Sequence, residues 1–141
     1  MSIYTRPIFI VEDNPMDLDL TQRAFAKHNI VNPILIARDG EEALMRLQEL
    51  LSNANLPLMV LLDLKLPKKN GFEVLDVLKS DPALQCIPVI VLTSSSDIGD
   101  IKKAYKKGAN SYILKPVDYS VFVKVANQIY EYWSMINILP G

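Results

Sequence analysis

Disulfide chemistry is closed to this chain: one cysteine, Cys86, stands among 141 residues, so no internal bridge can form and a reducing cytoplasm is the expected compartment. Within "LQCIPVIVL" it adjoins an apolar run, and a buried, inert thiol is expected. No apolar stretch approaches the roughly 20 residues that cross a bilayer. The start, "MSIYTRPIFIVED", lacks the long apolar region of a signal peptide and runs at once into carboxylates. With a net charge of −1 the chain has no field to hold nucleic acid. Lys102, Lys103, Lys106 and Lys107 form the one basic cluster, read as the solvated face of a short helix. The lone His28 is expected to be exposed at the end of the first helix. No nucleotide-binding glycine motif is present, which excludes a kinase.

What is present is globular composition, half apolar and 22% charged, in a length suited to one domain. Five short β-rich runs stand out: Ile8–Val11, Ile34–Ala37, Leu58–Leu62, Val89–Leu92 and Ser111–Leu114. Each is continuously apolar, as in strands covered on both faces. Helical segments separate them. Asn14-Pro15 supplies a capping side chain and an N1 proline for the first, which is expected to run to about His28. The second is "EEALMRLQELL", with Ala43, Leu44, Leu47 and Leu51 at helical spacing. The third covers about Phe72–Ser80, and the fourth about Ile98–Lys107, closed by Gly108. The fifth runs from about Val117 to Trp133. Strand starts recur at the length of one βα unit, which predicts an α/β fold: a doubly wound parallel sheet with helices on both faces.

Ligands of such sheets collect beyond the carboxyl ends of the strands. Polar residues gather there: Glu12-Asp13 after strand one, Asp63 after strand three, Thr93-Ser94 after strand four and Lys115-Pro116 after strand five. Three converging carboxylates repel one another unless a hard cation with oxygen ligands intervenes, and a small site keeping several waters describes Mg2+. Asp63 is the best nucleophile, because a carboxylate can attack phosphorus and form an acyl phosphate. Phosphoryl transfer spreads charge over equatorial oxygens. The cation, the Lys115 ammonium and the Thr93 hydroxyl would serve one oxygen each. A cis Lys115–Pro116 bond would fix the lysine's approach, and X–Pro is where that form is accessible.

The stretches "IFIVEDNP", "VLLDLKLPKKNGFEVL", "IPVIVLTSS" and "KKGANSYILKP" match, in order and spacing, the bacterial response-regulator receiver domain of the CheY-like type. The resemblance covers about residues 7–134. It implies a flavodoxin-like (βα)5 fold with strand order 2-1-3-4-5, and a two-component system in which a histidine kinase is the phosphodonor. It implies further that Glu12, Asp13, Asp63 and the backbone carbonyl of Lys65 hold the metal. Asp63 would be the phosphoacceptor, Thr93 the switch hydroxyl, Lys115 the phosphoryl-binding lysine and Tyr112 the aromatic that swings inward. Such a protein is no enzyme beyond its own phosphorylation and dephosphorylation. Glu12 departs from the commoner Asp, and Lys65 and Ser95 occupy positions that border the phosphoryl group in the family. Lys65 is expected to slow hydrolysis by screening the phosphoryl charge or hindering the attacking water.

The polar residues of the fifth helix, Ser120, Lys124, Asn127, Glu131 and Ser134, form one narrow stripe. Its apolar remainder exceeds what one sheet face needs, so a second covered surface is expected. A second copy of the chain is the simplest cover, and the tail "MINILPG" folding back is the alternative. "VEDNPMDLDLTQRAF", "DLKLPKKNGFEVL" and "YEYWSMINILPG" resemble one receiver subgroup more closely, the single-domain regulators paired with cyanobacterial phytochromes. That likeness implies a phytochrome as the kinase and a homodimer through the face of helix four, strand five and helix five. The expected organisation is a single receiver domain over 1–141, with a short apolar tail at 135–141, no output domain, and no membrane or nucleic-acid partner. A relay intermediate, a phosphate sink or a docking module independent of phosphorylation are the alternatives. A haloacid-dehalogenase-like phosphatase would need an Asp-x-Asp motif after strand one, and a flavodoxin a neutral phosphate loop there. Glu12-Asp13 fits neither.

Overall fold

A computed structural model describes residues 6–27 and 30–140; the expectations for His28 lie outside them. The elements follow in strict alternation: β1 (Ile8–Val11), α1 (Pro15–Ala26), β2 (Ile34–Ala37), α2 (Gly40–Ser52), β3 (Met59–Leu62), α3 (Gly71–Ser80), β4 (Val89–Thr93), α4 (Ile98–Lys106), β5 (Ser111–Leu114) and α5 (Tyr119–Tyr130). All strand pairs are parallel, and the sheet order is β2-β1-β3-β4-β5, as expected. The three central strands are buried along their whole length, whereas the edge strands β2 and β5 are mostly half-buried.

Successive strand residues point to opposite faces, so each apolar strand feeds two cores. Phe9, Val11, Val60 and Leu62 pack with Leu47, Leu75 and Leu78 on one face. Ile8, Ile10, Met59, Leu61 and Ile90 pack with Phe25, Phe122 and Ile129 on the other. Each such side chain contributes about 1.5–3 kcal/mol when fully buried. Register then positions the site. Val11 pairs with Leu62, Leu62 with Val91, and Thr93 with Leu114. The residues at or just past these pairs, Glu12, Asp63, Thr93 and Lys115, therefore leave the sheet at one edge.

Local chemistry starts the helices. Asn14 Oδ1 accepts from the amides of Met16 and Asp17, as its place before Pro15 predicts. Asp39, Asn70 and Asp118 cap α2, α3 and α5 in the same way. Asp118 explains why α5 starts later than Val117. Gly108, at φ +102, follows the last turn of α4 in the left-handed conformation that ends helices. Beyond Tyr130 the helix continues as π-helix over Glu131–Ile136.

Two expectations are corrected. Cys86 is exposed: in the turn before β4, Leu84 and Ile87 take the inward positions and leave the thiol outside. The Lys115–Pro116 bond is trans, since no cis peptide occurs among the described residues. Trans remains the lower form even for X–Pro, and Lys115 reaches its partners from it.

Along α5, Phe122, Val123, Ala126, Ile129 and Tyr130 are buried, whereas Tyr119 and Val121 are exposed. The tail does fold back, but only in part. Leu139 packs against the core shared by α1 and α5, while Met135, Ile136 and Ile138 stay exposed.

Candidate functional site

The carboxyl ends of the central strands bring three acids together. Ligand oxygens of Glu12, Asp13 and Asp63 lie within 4.8 Å of one another. Glu12 and Asp63 are buried, and Asp13 faces solvent. The Lys115 ammonium enters this group from the end of β5. Its Nζ lies 2.7 Å from Glu12 Oε1 and 2.8 Å from Asp63 Oδ2. It also lies 2.8 Å from Asp17 Oδ2, in the first turn of α1. Three acceptors match the three N–H donors of an ammonium.

One cation shared by three carboxylates leaves charge uncompensated, and the titration of the site reflects it. Burial lowers the stability of the Lys115 ammonium, but its hydrogen bonds to Asp17, Asp63 and Glu12 outweigh that and hold its pKa above the ordinary lysine value. Glu12 moves to about 7 from 4.5, because burial and the Asp63 charge outweigh its share of the lysine. The amide of Asn14 donates to its other oxygen at 3.1 Å.

Asp63 is set by its loop. The Lys65 amide donates to Asp63 Oδ1 at 3.1 Å, while the Lys65 side chain is exposed. A Cβ on Gly71 would lie 2.3 Å from the Asp63 carbonyl oxygen, so helix α3 can start against this loop only with glycine there. Thr93 is fully buried, and its hydroxyl has no hydrogen-bond partner among the described residues. An orphan hydroxyl at the end of β4, at the sheet edge where the acids gather, carries a desolvation cost that a ligand accepting its proton can relieve. The acid set suits a hard cation such as Mg2+ or Mn2+, which takes oxygen donors.

Tyr112 and Ser95 sit to one side. The phenol of Tyr112 donates to the Ser95 carbonyl at 2.8 Å. Burial raises the phenol's pKa above its ordinary value, despite the hydrogen bond to Ser95. The Ser95 hydroxyl donates to Asp100 Oδ2 at 2.6 Å. Of the residues singled out by sequence, the structure thus joins Glu12, Asp13, Asp63 and Lys115 directly. Asp17 and Asp100 were missed. Asp17 could have been found from its place in the first helical turn after β1, at the edge where ligands collect; nothing in the sequence marks Asp100.

The family described as "Response regulator receiver domain" matches residues 8–127. "Probable methanogenesis regulatory protein FilR2" of Methanothrix harundinacea (strain 6Ac) is 42% identical, over 95% of this chain and 87% of its own length. The crystal structure of the phosphorylated cyanobacterial phytochrome response regulator RcpA superposes with a TM-score of 0.91 at 40% identity, covering 97% of this chain and 99% of that one. The Mn2+-bound form of response regulator Rcp1 gives 0.90 at 36%, covering 96% and 99%. Curated Rcp1 comes from Synechocystis sp. (strain ATCC 27184 / PCC 6803 / Kazusa).

Proposed function

Since this chain belongs to the response regulator receiver domain family, and is a signalling receiver rather than a metabolic enzyme, we propose that it accepts a phosphoryl group on Asp63 from a histidine kinase. The observation that carries this reading is the contact of Lys115 Nζ with Asp63 Oδ2 at 2.8 Å, inside the acid cluster. In the transfer an Asp63 carboxylate oxygen attacks phosphorus as the bond to the kinase imidazole breaks, and the leaving nitrogen keeps the electron pair. Lys115 meets the charge on the phosphoryl oxygens. The Thr93 hydroxyl gains the partner it lacks by donating to another of those oxygens. Glu12, Asp13, Asp63 and the Lys65 carbonyl are the residues that would hold Mg2+; when bound, the ion offsets the charge of the acid cluster and of the phosphoryl group. The chain thereby catalyses its own phosphorylation and the later hydrolysis. Occupation of the Thr93 hydroxyl then biases the loop after β4 and Tyr112, and with them the face formed by α4, β5 and α5.

A phytochrome-class sensor is the proposed kinase, supported by the likeness to RcpA. The likeness to FilR2 favours a second reading, in which another sensor kinase supplies the phosphoryl group. Among the described residues no helix is long and apolar enough to cross a membrane, which fits the proposed cytoplasmic location. The exposed side chains Leu114, Tyr119 and Val121 support self-association through the α4, β5 and α5 face. Phosphotransfer profiling against candidate histidine kinases tests the assignment. Label should reach the wild-type chain from one kinase far faster than from the rest, and should be lost in Asp63→Asn. Label persisting in that variant would move the acceptor elsewhere.

A further inference from the structure

Asp17 is the one carboxylate on Lys115 that stands outside the acid cluster. Glu12 and Asp63 face both the lysine and the shared cluster, while Asp17 approaches from helix α1 and is not among the clustered acids. Its side chain keeps 23% of its accessibility, against 9% for Lys115, so the contact is only partly wet. The backbone beneath it is fixed: Asn14 accepts from the Asp17 amide at 3.1 Å, and the Asp17 carbonyl accepts from Thr21 Oγ1 at 2.9 Å. The lysine comes from the far end of the chain, after an edge strand, on four rotatable carbon–carbon bonds. Such a side chain needs something to aim it.

The structure assigns Asp17 as the positioning residue for the phosphoryl-binding lysine; the assignment rests on the acceptor role of Asp63 proposed above. Any cation held by Glu12 and Asp63 competes with Lys115 for their oxygens, because both draw on the same lone pairs. The Asp17 oxygen faces no such competition. It keeps the ammonium at the mouth of the site while its other N–H groups turn to the phosphoryl oxygens. A lysine already in place saves the entropy of finding that position in the transition state. A carboxylate is needed for this, because a neutral amide would leave the partly buried ammonium with a weaker acceptor.

The test times acyl-phosphate formation on the full chain with acetyl phosphate and Mg2+, followed by an acid-labile electrophoretic shift. Asp17→Asn should slow formation about tenfold, the rate equivalent of a weak charge-assisted hydrogen bond. Asp17→Glu, which keeps the charge, should recover most of the loss. In a Lys115→Ala background Asp17→Asn should have no further effect, since its target is gone. Wild-type speed in Asp17→Asn, or the same fractional slowing without Lys115, would overturn the assignment. Where the Lys115→Ala chain reacts too slowly to time, 15N NMR of the Lys115 ammonium replaces it. Faster hydrogen exchange at Nζ in Asp17→Asn supports the role, and unchanged exchange overturns it. Asp63→Asn runs alongside: a shift that survives there refutes the acceptor reading itself, whatever Asp17 does.

Discussion

Tyr112 reaches across from the edge strand β5 and donates its phenolic proton to the carbonyl of Ser95, 2.8 Å away, tying the strand to the loop after β4. The ring lies 6.4 Å from that of Tyr105 on α4. Because the Ser95 hydroxyl is turned to Asp100, the loop is held at one residue from two sides. Tyr112→Phe keeps the ring and removes one of these ties. Amide hydrogen exchange over residues 94–100 should quicken, with a stability loss of about 1 kcal/mol, the usual net value of one hydrogen bond. Unchanged exchange would mean that the ring alone holds the loop.

Glu12 gives the site a pH dependence whose sign can be worked out. Its folded pKa is about 7 and its ordinary value 4.5. Between these values the folded chain keeps a proton that the unfolded chain releases. Glu12 therefore favours folding most below its ordinary pKa, and that contribution is lost as pH rises through 7, by an amount on the order of 3 kcal/mol. The raised pKa of Lys115 adds no slope here, because a lysine is protonated in both states across this range. A divalent cation at the acid cluster must displace the Glu12 proton. Thermal stabilisation by Mg2+ should accordingly be larger at pH 8 than at pH 6, and Glu12→Gln should flatten the difference. Equal stabilisation at the two pH values in the wild type would count against Glu12 as a ligand.

The strands and the acid cluster were legible because both depend on local pattern. A parallel sheet buried on both faces requires unbroken apolar runs, and register carries whatever follows those runs to one edge. Glu12, Asp63, Thr93 and Lys115 each adjoin a run, so their convergence could be read directly. Asp17 adjoins no run, and only its place in the first turn of α1, at the edge where ligands collect, marks it. Gly71 was invisible: its need for a missing Cβ comes from the Asp63 carbonyl eight residues earlier, whose oxygen would lie 2.3 Å from a Cβ at that position. Cys86 was misread because the apolar run beside it begins one residue later, at Ile87. Burial in a turn is decided by which positions face inward, and hydropathy does not report that.

Lys65 tests how the rim of the site controls the lifetime of an acyl phosphate. Its amide is committed to Asp63 Oδ1, and the residue itself is exposed two positions after Asp63. A cationic chain there can screen a phosphoryl group and obstruct the line of a hydrolytic water. Lys65→Asn should shorten the half-life of the phosphorylated chain with no loss of fold, because the side chain packs in no core. Decay of the acyl phosphate after removal of the donor measures this, and an unchanged half-life would make Lys65 a bystander at the rim.

Helix α5 carries the remaining prediction, through the side chains its own tail leaves uncovered. Leu139 returns to the core, yet Leu114 on β5 and Tyr119 and Val121 on α5 remain exposed. Tyr105 on α4 is 50% exposed, with its ring 6.4 Å from that of Tyr112 on β5. Burying such side chains against a second copy would contribute about 1.5–3 kcal/mol for each one fully covered, and a stable pair needs a total buried area of roughly 1,200–2,000 Å². Sedimentation of the chain, with and without a beryllofluoride phosphoryl mimic, should show a dimer in at least one state. Val121→Glu should then give a monomer with an unchanged circular dichroism spectrum, since the position is solvent-facing in the single chain, and should lose only the thermal stabilisation that association supplies. A wild-type monomer at high micromolar concentration in both states would exclude the pairing. A dimer that survives Val121→Glu would place the contact elsewhere, with the exposed Met135, Ile136 and Ile138 beyond α5 as the next surface to charge.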